Sequence, residues 1–250
     1  MPSFQKGLDI LEYIAGSQDG LRLTDIAQHM DLPASNITLY LNTLIHRNWI
    51  IREPHKKKFL INPKAVELFH NAQDNLVHKL LPCADKSMQA LHKKYNENIL
   101  LVMQKGNSFS IVKHIASTHV MRVLIQDEPD YCMHVTAAGR AILAFLPEPT
   151  IERYIKTASY VKLTDKTTSD EKTLRETLKK TKEKGYAFNP GEFESEVMAT
   201  AAPIIINDRP VAALVVQFPT IRHSAEEAES AAVDIMKQAR NIEADLIKAL

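Results

Sequence analysis

Residues 24–47, TDIAQHMDLPASNITLYLNTLIHR, decide how the chain is read, because they spell two short helices set at an angle by a tight turn. Thr24 offers a hydroxyl that can cap free backbone N–H groups, and Ile26, Ala27 and Met30 follow at helical spacing. Asp31-Leu32-Pro33 ends this helix. Proline cannot continue a helix but suits its first turn, so the second starts near Pro33 or Ala34. Ile37, Tyr40, Leu41, Leu44 and Ile45 make its inward face. Ser35, Asn36, Thr38, Leu39, Asn42 and Thr43 face outward, a small and largely polar surface suited to a DNA groove.

A polar helix face is usually only a solvated one, and the next segment adds weight. The runs at 49–52 (WIIR) and 59–61 (FLI) are rich in strand formers and flank Glu53-Pro54-His55-Lys56-Lys57-Lys58, which predicts a hairpin with a basic tip. Three lysines in a row can be an ordinary solvated turn. Beside a recognition helix, Lys56, Lys57 and Lys58 would instead neutralise phosphates and release counterions. A helix over 4–15, a turn at 16–20, the helix pair and this wing make a winged helix-turn-helix. Its candidate DNA contacts are Thr24, Ser35, Asn36, Thr38, Leu39, Arg47, Lys56, Lys57 and Lys58.

With 31 basic and 30 acidic residues in 250, the net charge of +1 excludes a polybasic binder, so contact with nucleic acid must come from a local patch. Two cysteines, Cys83 and Cys132, lie too far apart for the usual zinc patterns and make no disulfide framework, which fits a reducing cytoplasm. No apolar run is long enough to cross a membrane.

Asn62-Pro63 predicts the start of a helix capped by Asn62, resuming from 76 to 95 with Pro82 starting or kinking the second part, a semi-rigid helical link. Beyond Asn98 the texture changes. Runs at 99–104 and 109–115 form a hairpin, 120–125 reads as a further strand, 136–146 and 150–158 as helices, and 169–184 as a charged helix closed by Gly185. Two apolar runs, 198–206 and 211–218, form a buried antiparallel pair around Asn207-Asp208-Arg209-Pro210. Ser224 with Glu227 is a capping-box signature that opens a last helix towards Leu250. The fold class is therefore α+β.

Two stretches, HVTAAGRAILA (134–144) and GYAFNPGEFESEVMATAAPI (185–204) followed by VAALVV (211–216), resemble the IclR family of transcriptional regulators, whose winged helix precedes them in the same order. The resemblance covers nearly the whole chain. It implies a winged helix-turn-helix domain over 1–62, a linker helix over 63–80 and, over 81–250, a GAF-like effector-binding domain with a mainly antiparallel sheet flanked by helices. It also implies a repressor of a catabolic operon whose partners are a double-stranded operator, a small organic-acid effector and further copies of itself, as homodimer or homotetramer. No cofactor or metal is implied.

Mapped residue by residue, the backbone at Ala137 and Ala138 matches the segment that presents N–H groups to an effector carboxylate, and Asn189, Ala199, Val215 and Gln217 match the other pocket positions. Met121 and Met133 flank that pocket. Two of the four pocket positions are apolar here, which favours a larger, partly apolar acid over a small polar keto acid. Leu39 stands where relatives usually have arginine, suggesting a touch on a thymine methyl, and Glu196 stands where they tend to have glycine.

His134 has no nucleophile placed beside it by any motif, so packing or capping outweighs catalysis. Glu192, Glu194 and Glu196 alternate as along one strand face, and without suitably spaced histidines a solvated edge or a pocket gate outweighs metal ligation. The alternative class is a hydrolase-like enzyme that uses its winged helix only for assembly.

Overall fold

The computed structural model describes residues 3–17, 19–125 and 132–250, so Gln18, in the expected 16–20 turn, lies outside the described residues. The chain forms two compact units, Met1–Leu76 and Val77–Leu250.

In the first unit, α1 (Ser3–Ala15), α2 (Leu23–Met30) and α3 (Ala34–His46) pack around Ile10, Ile14, Ile26, Ile37 and Leu41, with Ile50 and Phe59 from a small sheet. Each such aliphatic side chain contributes about 1.5–3 kcal/mol when taken from water. The sheet holds β1 (Leu21–Arg22), β2 (Ile50–Arg52) and β3 (Lys58–Ile61) in the order β1-β3-β2, with Ile50 opposite Ile61 and Arg52 opposite Phe59. β1 is too short to carry a hydrophobic alternation, and sequence reading passes over it. Gly20 leads into it at φ +73°, where a Cβ would sit 2.7 Å from Leu60 Cγ. The first helix of the pair begins one residue before Thr24: Arg22 holds the cap position, and its N–H donates to Asp25 Oδ2 (3.0 Å). Thr24 is therefore no cap; its hydroxyl donates to Asp25 Oδ1 (3.3 Å).

Helix α4 runs from Pro63 to Tyr95, with Asn62 Oδ1 accepting the Lys64 N–H (3.0 Å) at its start. Pro82 lies inside it and starts no second segment. The lost N–H bond is offset by the buried stripe of Leu80, Ala84, Met88 and Leu91.

The second unit is built on a five-stranded antiparallel sheet, order β5-β4-β8-β7-β6, from β4 (Ile99–Lys105), β5 (Ser108–Ile115), β6 (Ala187–Glu194), β7 (Val197–Ile206) and β8 (Arg209–Pro219). The β7–β8 turn is tighter than expected. Asn207 and Asp208, both at positive φ, carry it alone, and Pro210 enters β8 where the register slips between Ile204 and Ile205. One face carries α5 (Ala137–Leu143), α6 (Glu148–Thr157) and α7 (Glu171–Lys184). The other carries α8 (Ala225–Ser230) and α9 (Ala232–Ala249); Thr200 points there and donates to Ala228 O (2.5 Å). Ser224 and Glu227 form the expected capping box, but the helix they open closes after one and a half turns and α9 follows separately.

Residues 120–125 are not a strand. Side chains take their carbonyls instead: Arg222 Nη1 donates to Met121 O (2.7 Å) and Asn98 Nδ2 to Val123 O (2.8 Å). Glu196, where glycine was expected, is absent from the described residues with positive φ, so its backbone is ordinary; Gly191, at φ +104°, carries the local bend.

Candidate nucleic-acid interface and ligand cavity

Helix α3 buries Ile37 and Leu41 and leaves Ser35, Asn36, Asn42 and Thr43 exposed, with Leu39 68% exposed. Between α3 and the β2–β3 hairpin lies an open groove of about 900 Å³, lined by Thr24 and Thr38 and by the hairpin residues His55, Lys56, Lys57 and Lys58. Two arginines that sequence reading missed, Arg22 and Arg52, line it as well. Strand pairing brings them there: Arg22 stands opposite Lys58 on one side of β3, and Arg52 opposite Phe59 on the other, its guanidinium 5.8 Å from the ring centroid. The three lysines are not equivalent. Lys56 and Lys57 are exposed at the tip, Lys56 beside Glu53 (3.2 Å), whereas Lys58 sits in β3 and donates to Asp19 O (3.1 Å). Arg47 is exposed after the end of α3 and does not line the groove.

In the second unit a cavity of about 160 Å³ opens between α5, residues 123–125 and one face of the sheet. Leu100, Phe109, Ile111, Val197, Ala199 and Val215 make an apolar belt, and Thr136, Ala137, Ala138, Asn189, Glu194 and Gln217 add polar atoms. An apolar cavity of about 150 Å³ admits a benzene ring. Sequence mapping and structure meet at Ala137, Ala138, Asn189, Ala199, Val215 and Gln217, which share this wall. Met121 and Met133 do not: Met121 is 64% exposed, and Met133 is fully buried in the core. Their nearness in sequence to the cavity walls misplaces them.

The start of α5 presents backbone donors to the cavity. Thr136 Oγ1 accepts the Gly139 N–H (3.1 Å), and the N–H groups of Ala137 and Ala138 have no partner among the described residues. Asn189 fixes this end: its Nδ2 donates to Val135 O (2.6 Å), while its Oδ1 accepts the N–H groups of Gly191 (2.9 Å) and Glu192 (2.7 Å).

Behind it lies a buried ion pair. Arg140 donates to both oxygens of Glu192 (2.6 and 2.5 Å), to Thr168 Oγ1 (2.9 Å) and, through Nε, to His134 O (2.6 Å). The Thr168 N–H adds a further donor to Glu192 Oε2 (2.8 Å). Glu192 is thus neither a solvated edge nor a pocket gate, because the β6–β7 register breaks between Asn189 and Glu194 and turns it inward. His134 is buried with Nδ1 2.9 Å from Tyr154 Oη. Burial holds its imidazole pKa below the usual value, assisted by the Arg140 charge, and burial pushes the Tyr154 phenol up to about 12.

Family models extend over both units. The model described as the IclR helix-turn-helix domain matches residues 3–54, and that described as the bacterial transcriptional regulator IclR C-terminal domain matches residues 75–244. The chain belongs to the IclR family. It is 25% identical over 243 residues to the transcriptional repressor IclR of Escherichia coli K12, covering 96% of this chain and 88% of that protein. Its fold is similar to that of RHA06195 from Rhodococcus sp. RHA1 (TM-score 0.66, 23% identity, 99% of each chain). It is also similar to that of an IclR homolog from Microbacterium hydrocarbonoxydans complexed with 4-hydroxybenzoate (TM-score 0.61, 19% identity, 99% of this chain and 100% of that one). This IclR-family chain is accordingly a ligand-responsive transcriptional regulator with a helix-turn-helix DNA-binding region, and the hydrolase alternative gives way to it.

Proposed function

We propose that this IclR-family chain is a repressor of a catabolic operon that reads a duplex operator with α3 and the β2–β3 wing and loses affinity for it when an organic acid fills the C-terminal cavity. The observation that carries the reading is the pairing, in one cavity, of N–H groups at Ala137 and Ala138 that have no partner among the described residues with an apolar belt whose volume matches a ring. A carboxylate suits the first and a hydrocarbon body the second. The 4-hydroxybenzoate bound by the Microbacterium relative has both parts. Ser35, Asn36 and Thr38 would approach base edges and Leu39 a thymine methyl, while Lys56, Lys57, Arg22 and Arg52 meet phosphates. A homodimer or homotetramer presents two such wings to half-sites of fixed spacing, so a small change in their separation alters affinity.

Duplexes selected from a random pool provide the test. Operator affinity measured across salt should fall less steeply for Lys56→Ala/Lys57→Ala than for wild type, the logarithmic slope dropping by about 2 for two lost phosphate contacts. An unchanged slope removes the wing from the interface, and an affinity indifferent to every aromatic and aliphatic acid tried removes the effector role.

A further inference from the structure

We propose that Asn98 is a positioning residue which holds the side-chain amide of Gln217 as a hydrogen-bond donor into the cavity, so that the preferred acid carries an acceptor at the end remote from α5. This rests on the reading of the cavity as an organic-acid site. Asn98 is buried just before β4, and its Oδ1 accepts the Ser117 N–H (2.9 Å). Only the carbonyl oxygen of the amide can make that contact, so the NH2 group faces the other way, donating to Val123 O (2.8 Å) and Gln217 Oε1 (3.0 Å). The Gln217 N–H in turn donates to Asn98 O (3.1 Å), so the two residues are locked by main chain and side chain together. With its oxygen turned towards Asn98, Gln217 carries its NH2 group on the opposite side of the amide, and that group has no partner among the described residues.

The other amide in the wall is spent. Asn189 uses its oxygen on two N–H groups and its nitrogen on Val135 O, and so serves the protein rather than a ligand. Asn189 pairs with Ala199 and Ala199 with Gln217 across three strands, which puts the two amides about 10 Å apart on one sheet face at the usual strand spacing. Asn189 marks the α5 end. A benzoate with its carboxylate at Ala137 and Ala138 therefore points its para substituent along the belt towards Gln217. An acid that fills the cavity takes this half-buried donor out of water, and a donor left unpaired there is costly, so a para acceptor is selected over hydrogen.

Titration calorimetry of the full chain with benzoate, 4-hydroxybenzoate and monomethyl terephthalate tests this, since the ester only accepts at its para position. The ester should bind wild type about tenfold tighter than benzoate, the effect of one hydrogen bond. In Gln217→Leu that ratio should fall to near one. In Asn98→Asp the carboxylate still accepts from Ser117 but now attracts the Gln217 NH2, turning the amide over; the ester should lose its advantage and 4-hydroxybenzoate, a donor, should gain. A purely structural role would change all three affinities alike. Equal binding of ester and benzoate by wild type, or an ester advantage that survives in Gln217→Leu, overturns the donor assignment alone; one that survives in Asn98→Asp overturns the role of Asn98. If wild type binds none of the three, the aromatic-acid reading of the cavity fails and this proposal with it.

Discussion

Glu192 and Arg140 are separated by 52 residues in sequence and share a site behind the cavity in which both carboxylate oxygens are paired. A buried carboxylate is tolerable only when every oxygen is paired, and removing one partner strands the other charge in a medium that solvates it poorly. Glu192→Ala should therefore destabilise the second unit by about 3–5 kcal/mol in urea denaturation, whereas the apolar pair Arg140→Met/Glu192→Leu should lose much less. A cost below about 1 kcal/mol for the single change would mean that Arg140 reaches solvent. Sequence alternation placed Glu192, Glu194 and Glu196 on one face, but the β6–β7 pairing is interrupted between Asn189 and Glu194 and Glu196 lies in the turn, and alternation carries no information about such a break until the strands are paired.

At the scale of elements, α5 is set by a contact that its sequence does not announce. Gly139 has an ordinary helical backbone, and it is required because Met133 crosses directly over it: a Cβ there would lie 2.3 Å from both Met133 Cα and Met133 O. Gly139→Ala must push the helix off the preceding turn. We expect a loss at or above the upper end of the usual 1–3 kcal/mol for overpacking, together with weaker ligand binding, because the N–H groups of Ala137 and Ala138 move with the helix. Wild-type stability in thermal melts of Gly139→Ala would contradict the close approach. The helices, the wing and the β7–β8 hairpin were legible because caps, prolines and period act locally: Asn62, Ser224 and Gly185 each do what their residue type predicts. The strand expected over 120–125 failed for the opposite reason. Its apolar composition suits a strand, yet strand formation depends on a free neighbouring edge, and here side chains of Asn98 and Arg222 hold the backbone instead.

At the scale of the whole molecule, each of the two units buries apolar residues of its own. Each binds a different partner in the proposed function, so each should be stabilised by its own. Differential scanning calorimetry should resolve two transitions, with operator DNA raising one and the acid raising the other. At a free acid concentration of 100 times Kd the second should gain about 2.7 kcal/mol. A single transition that moves equally with either ligand would show the units unfolding together.

The sequence by itself determined the helix pair, the basic hairpin, the strand-rich second half and the family that those motifs resemble, because capping, proline geometry and hydrophobic period are properties of neighbours along the chain. It also named six of the cavity's wall positions, through motifs rather than through geometry. Tertiary structure alone decided that Met121 and Met133 do not line the cavity, that Arg22 and Arg52 join the wing lysines, and that Arg140 neutralises Glu192. It alone aimed the Gln217 amide, since which atom of an amide faces a ligand depends on partners brought from over a hundred residues away.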